Sequence, residues 1–422
     1  MISEKYNLIK TFNIAGTPGY ILLGYFVVQI VFARQKTDMG AVDGSAMIFA
    51  LYALFCLYYG WKDFHKDKIS KFFFSNLFKK TPIFWFALYT GWCLVSALWS
   101  PNLSLSAFRA IECLGMMMMI ASVFKNLVLK CTYQQIMLWC VTYCFLNVLL
   151  TFVAGMRAGL DVALYNCQFP STIFFYIAFF FAPKKYIKYP MMLVALACKS
   201  VTGYMGMTLG MCSLMFGKAK YRILGILLFC GIGIAIGTMG LDNVLNNTIF
   251  ASKGGAIVDG QFDEGKSSGR DVIWEAAVDE INREGKQLYG VGFVAGETEF
   301  AHQIIGGQVI GMHNGFLSAY IGTGYIGLFL FSLFMLGMLK ITIRNGINTT
   351  YKPVMIACMI AVFIHTVGNP GLGFRVYGTW MPAMFIVQMV IALNFKSNFK
   401  NFYYERRNKN RKIETSCLQG IE

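Results

Sequence analysis

Residues 314–338 read NGFLSAYIGTGYIGLFLFSLFMLGM and carry no charged side chain. A helix needs roughly 20 mostly apolar residues to cross a bilayer core. A core helix of a water-soluble domain of that length would show a polar face, and this stretch shows none. It is read as a membrane span. Similar runs lie at 18–33, 45–61, 83–99, 108–127, 135–154, 169–182, 187–199, 202–217, 221–239, 353–368 and 377–394. Together they give about twelve spans, three of them (169–182, 187–199 and 202–217) short and crowded.

Composition agrees with lipid as the solvent. The chain is 56% hydrophobic and 14% charged, whereas soluble domains carry roughly 25% charged residues. The expected fold class is an all-α integral membrane protein with a long outer loop holding short helices. The formal charge of +16 has a topological explanation. With the N-terminus inside, every inside connection is basic: Lys5 and Lys10, the 62–80 loop, Lys125 and Lys130, Lys184 to Lys188, Lys218 to Arg222, Lys340 to Lys352, and the tail after Lys396. That pattern obeys the positive-inside rule and puts both termini in the cytoplasm. The tail segment YYERRNKNRK is then a topogenic tail beside membrane lipid, and no nucleic-acid partner is expected.

The cysteines scatter through apolar runs, without disulfide spacing or paired metal-ligand spacing. They read as small buried apolar residues. Lys5 and Lys10 precede an apolar run with no small-residue cleavage site, so the first run reads as a retained span. The expected division is a membrane domain over 1–240, an outer loop over 241–312, a second membrane part over 313–395 and a basic tail over 396–422.

The 241–312 connection is far longer than any other and lies outside in this topology. Loops of that length in compact folds are functional or disordered, and the aromatic and aliphatic residues throughout this one argue for order. Trp274, Ala277, Val278 and Ile281 repeat on one face, predicting a helix over 270–284 that Gly285 and Gly290 end. His313 sits where the loop re-enters the membrane. An imidazole, with an ordinary pKa near about 6.5, suits a general base there; a helix-end hydrogen bond is the plainer alternative. Arg109, Arg270, Arg375 and Lys199 lie at span ends or motif-like turns on the same side. Guanidinium forks converging in a low-dielectric site would hold a diphosphate. Singly, each is also compatible with an interfacial or ion-paired residue, and Glu112 is a ready partner for Arg109.

The text around His313 reads His313-Asn314, nine residues, then Gly324-x-x-Gly327. This resembles the His-[Asn/Ser/Gln]-x9-Gly-x-x-Gly pattern of the O-antigen ligase and polymerase superfamily. Trp99-Ser100-Pro101-Asn102 with Arg109 downstream, Ser268-Gly269-Arg270 with Trp274, and the Gly290-Val291-Gly292 turn are similar to further features of that family. One feature departs from it. Where the family often has a Ser-Arg pair in a mid-chain span, this chain has Lys199-Ser200 and no arginine. Lysine supplies the charge but not the bidentate fork.

The resemblance implies transfer of a glycan from an undecaprenyl-diphosphate-linked donor to an acceptor hydroxyl, outside the bacterial cytoplasmic membrane. Asp259, Asp263 and Glu264 of the outer loop are acids that a cation can bind but read as a solvated loop, so the expected reaction uses no metal and no cofactor, with His313 as base and Arg270, with Arg109 and Arg375, at the diphosphate. The acceptor is lipid A–core for a ligase of lipopolysaccharide assembly, or another lipid-linked repeat unit for a polymerase. A protein acceptor is disfavoured by the modest outer loop. A transporter or flippase of lipid-linked glycan is the alternative from another class. The lack of an internal repeat and the long outer loop count against it.

Overall fold

The computed structural model describes residues 13–32, 44–156, 167, 209–210, 257–258, 261–262, 270–305, 312–343, 351–368, 371–376 and 380–396. The expected spans at 169–182, 187–199 and 221–239, and with them Lys199, lie outside these residues, as does 202–217 apart from 209–210.

The centre of the described bundle is α5 (Leu103–Lys130). Asn102 starts it: its side-chain oxygen accepts the backbone N–H of Leu105 at 3.0 Å, an N-cap of the kind that contributes about 1 kcal/mol. The methionine run Met116 to Met119 is buried, because helices pack against α5 from several sides. These are α1 (Thr17–Phe32), α2 (Gly44–His65) and α4 (Ile83–Ser96). The contact with α2 is close because small residues meet there: Gly115 of α5 faces the Ala53 carbonyl, and Gly60 of α2 faces Met118. In lipid, where apolar side chains gain little by meeting one another, such close backbone packing is a main source of helix association.

Before α4 lies α3 (Lys68–Lys80). The sequence reading takes this basic stretch as an inside loop; the structure makes it a helix. Phe73, Phe74 and Leu77 are buried on one face, while Lys68, Lys71, Lys79 and Lys80 lie off it, the pattern of a helix lying along an interface. Thr81 and Pro82 end it, and the chain turns by 83° into α4. After α5 come α6 (Tyr133–Gly155), a two-residue antiparallel hairpin of β1 (Ile257–Val258) and β2 (Gln261–Phe262), α7 (Arg270–Arg283) and α8 (Ala295–Ile305). The last elements are α9 (Gly315–Ile343), α10 (Lys352–Gly368), a short turn Gly371–Gly373 and α11 (Trp380–Lys396).

Over their described residues, the expected spans from 18–33 to 135–154 and from 314–338 to 377–394 are largely helical. Among the described residues, α5 and α9 are each long and apolar enough to cross a membrane, while α3 and α4 reach that measure only when taken together across their 83° bend. α10 and α11 are apolar but shorter. The outward faces are apolar too: Leu51, Leu54, Tyr58 and Trp61 on α2, and Phe329, Leu336 and Ile343 on α9, are exposed. An exposed apolar surface of that extent needs lipid rather than water.

One end of the bundle is tied by charge. Lys125 of α5 pairs with Asp63 of α2 and donates to Ser70 of α3 at 3.1 Å, all three groups being buried. Removing one partner of a buried pair strands the other charge. Lys125→Met is expected to destabilise the protein by about 3–5 kcal/mol, read as a drop in melting temperature in detergent. Adding Asp63→Asn should recover most of the loss.

Candidate functional site

α9 is broken at Gly324, whose backbone lies at φ 69° and ψ −169°. The left-handed region is unfavourable for any residue with a Cβ. A Cβ here would also collide with the backbone of Leu288 and Tyr289. The break frees backbone groups on both sides, which must be paired in an apolar setting. A segment just before α8 pairs them. Val291 N–H donates to the Ile321 carbonyl at 2.9 Å and Gly292 N–H to that of Gly322 at 3.0 Å, while Tyr325 N–H donates to Gln287 at 2.8 Å. The Trp92 indole of α4 donates to the Thr323 carbonyl at 2.8 Å. Gly327, the second glycine of the motif, lies against Thr323 and the Trp92 ring.

The same segment docks on the α4–α5 corner. Phe293 N–H donates to Ser96 Oγ at 3.1 Å, and Ser106 donates to the Phe293 carbonyl. Ser100 and Ser106 share a hydrogen bond of 2.8 Å. Gly292 packs so tightly on Ser100 that a Cβ would lie 2.6 Å from the serine's own Cβ. Trp99 meets Tyr289 edge-on, with ring centroids 5.6 Å apart. The Trp99–Asn102 stretch, the Gly290–Gly292 turn and the His313–Gly327 motif therefore form one contiguous assembly.

His313 occupies a turn at φ 51°. For a residue with a Cβ this is strained backbone, costing about 1–3 kcal/mol, so neighbours must hold it. On one side the Trp274 indole of α7 donates to the Met312 carbonyl at 2.8 Å. On the other, Met312 N–H donates to Glu297 Oε1 of α8 at 3.2 Å. The same oxygen accepts from Ser318 of α9 at 2.7 Å. Asn314 then caps α9, its side-chain oxygen accepting from Phe316 N–H at 2.9 Å and Leu317 N–H at 3.1 Å. α7 closes over this end through Ile273, Ala277 and Ile281, packed with Met312, Tyr320 and Ile321. It ends where Lys286 N–H reaches back to the Ile281 carbonyl at 3.2 Å, a Schellman closure.

Glu297 is fully buried. Burial pushes its carboxyl up to about 7, against the opposing pull of the Ser318 and Met312 donors and the Arg375 charge. Arg375 follows the Gly371–Gly373 turn, which packs on Gly315 at the start of α9 and whose Gly373 carbonyl accepts from Tyr89 at 2.6 Å. Arg109 lies on the α5 face that meets both turns. Ser106 and Cys113, one turn to either side of it, touch Phe293 and Phe374. Arg109 pairs with Glu112 at 2.8 Å, and Glu112 also accepts from Tyr25 at 2.6 Å. The Arg109 Nε is buried without a hydrogen-bond partner among the described residues. Arg270 is the first residue of α7; only its backbone position is described.

The structure thus joins the His313–Asn314 turn to Trp274 and Glu297 at the start of α9, with Arg375 acting on Glu297 from the Gly371–Gly373 turn, Arg109 paired with Glu112 on the adjoining face of α5, and Gly324 and Gly327 further along α9. Sequence reading missed Glu297. A signal was present: Val294, Glu297, Phe300 and Ala301 share one helical face, which puts that acid among apolar residues while Glu299 points out. The serines Ser96 and Ser106, which hold Phe293, carried no comparable pattern.

A family model described as O-antigen ligase matches residues 188–332. The match takes in the His313–Gly327 motif, Arg270, Trp274 and the Gly290–Gly292 turn, and it bears out the resemblance read from those motifs. No curated protein matches the chain.

Two outcomes follow from this geometry. Gly324→Ala should lower stability by at least about 1–3 kcal/mol, the cost of placing a residue with a Cβ in this glycine-only backbone region, as seen in thermal unfolding. For Glu297, a carboxyl with a raised folded pKa binds its proton more tightly folded than unfolded. Its stabilisation is present below the ordinary 4.5 and is lost as pH rises through about 7. Glu297→Gln removes that slope. Melting temperatures taken from pH 5 to pH 8 should therefore fall less for the variant than for the wild type.

Proposed function

We propose that this O-antigen ligase-family chain is a membrane glycosyltransferase of surface polysaccharide assembly. It moves a glycan from undecaprenyl diphosphate to an acceptor hydroxyl on the extracytoplasmic face of the bacterial inner membrane. The observation that carries the reading is the convergence on one end of the bundle of a strained, held histidine turn and two arginine-bearing elements. A structural histidine at a helix end needs no such neighbours.

In this reaction His313 accepts the proton of the acceptor hydroxyl as its oxygen attacks the anomeric carbon. The new glycosidic C–O bond forms while the anomeric C–O bond to the diphosphate breaks, and undecaprenyl diphosphate leaves. Attack opposite the leaving group inverts the anomeric centre. Arg109, Arg375 and Arg270 hold the diphosphate and stabilise the negative charge that grows on it, which is worth most where water is excluded. Lys199 contributes a further positive charge. Cationic side chains do this work without a metal ion. The apolar outer faces of α2 and α9 suit a polyprenyl chain lying along the protein.

A lipid A–core acceptor makes the protein a ligase. The motifs are shared with polymerases, for which the acceptor is a second lipid-linked repeat unit. Purified protein supplied with a lipid-linked glycan and each acceptor in turn separates the two by which acceptor gains sugar. Glycan crossing a vesicle membrane without transfer would favour a transporter instead. His313→Ala is expected to lower kcat by about 10²–10⁴-fold, the usual contribution of a general base. Unchanged turnover in that variant would remove His313 from the chemistry.

A further inference from the structure

Glu297 has no part in the mechanism above, yet it is the buried acid nearest in contacts to the His313 turn. Its side chain does not cap its own helix. The two donors it accepts come from elsewhere: Met312 N–H from the turn, at 3.2 Å, and Ser318 Oγ from the first turn of α9, at 2.7 Å. Both reach Oε1, and Oε2 has no hydrogen-bond partner among the described residues. Beyond Oε2 lies Gly322, where a Cβ would sit 3.9 Å away. Met312 is thereby held from two sides, its carbonyl by Trp274 and its N–H by Glu297. The residue that follows is the one in left-handed backbone.

Burying a carboxyl costs several kcal/mol unless donors offset it. The acid spans α8, the 312–313 turn and α9, and Arg375 pulls on it electrostatically from the Gly371–Gly373 turn. We propose that Glu297 is the positioning residue of the site, one carboxyl oxygen fixing the His313 turn against α9 so that the imidazole meets the acceptor hydroxyl. This rests on the reading of His313 as the acceptor base.

The test uses full-length protein in detergent, wild type and Glu297→Ala, Glu297→Gln and Ser318→Ala. The first arm needs no substrate. The chain has 4 histidines, so ¹⁵N-histidine spectra are simple, and the His313 signals are assigned by their loss in His313→Ala. Glu297→Ala should shift or broaden them. Glu297→Gln, which keeps an acceptor oxygen, should leave them near wild type, and Ser318→Ala should fall between. The second arm measures transfer. Misplacement of about 1 Å costs on the order of 10²-fold, so Glu297→Ala should lower kcat by about 10- to 100-fold with little change in KM, and Gln should restore most of it. Unmoved His313 signals in Glu297→Ala would overturn the proposal. So would a Gln variant as impaired as Ala, which would mean that the acid acts through its proton or charge. If wild type transfers nothing, the function proposed above fails, while the spectra still decide the positioning role. If Glu297→Ala does not fold, Ser318→Ala carries the same comparison.

Discussion

A helix interrupted among apolar neighbours must find new partners for the backbone groups it releases, and the break of α9 at Gly324 imposes that demand on everything around it. The carbonyls of Ile321, Gly322 and Thr323 and the N–H of Tyr325 are met by residues 287–292 and by Trp92. Those partners fix where the long connection returns to the bundle. A continuous α9 would bond to itself and leave that segment with nothing specific to bind.

From that docking the rest of the site follows. Holding 287–292 against α9 brings Phe293 onto Ser96 and Ser106, which sets the α4–α5 corner beside it. It also sets the start of α8, and with it Glu297, against the first turn of α9. Glu297 and Trp274 then grip Met312, and the residue after Met312 takes left-handed backbone. Strain at one residue is affordable only where several elements agree on its position. Arg109 and Arg375 lie along the same seam, one on α5 and one on the turn that packs beneath Gly315.

Much of this was legible in the sequence. Unbroken apolar runs marked the helices because lipid removes the need for a polar face, and the period of Trp274, Ala277, Val278 and Ile281 marked α7 within one residue of its end. The motif glycines were visible, but not their reasons: Gly324 is needed for a break and Gly292 for contact with Ser100, both of which are tertiary facts. The basic 62–80 stretch reads from its charge as a loop, although Phe73, Phe74 and Leu77 carry a helical face. Glu297 was hidden for a related reason. An acid in a polar connection is ordinarily solvated, and its burial comes from α9 closing over it.

The central claim is that the end of the bundle bearing His313 receives the diphosphate of a lipid-linked donor. Its most direct test is a structure of the full-length protein in a lipid nanodisc with an undecaprenyl-diphosphate-linked glycan bound. The diphosphate is expected between Arg109 and Arg375, with the anomeric carbon facing His313. A diphosphate seated instead at the opposite end of α5, beside Lys125 and Asp63, would contradict the account.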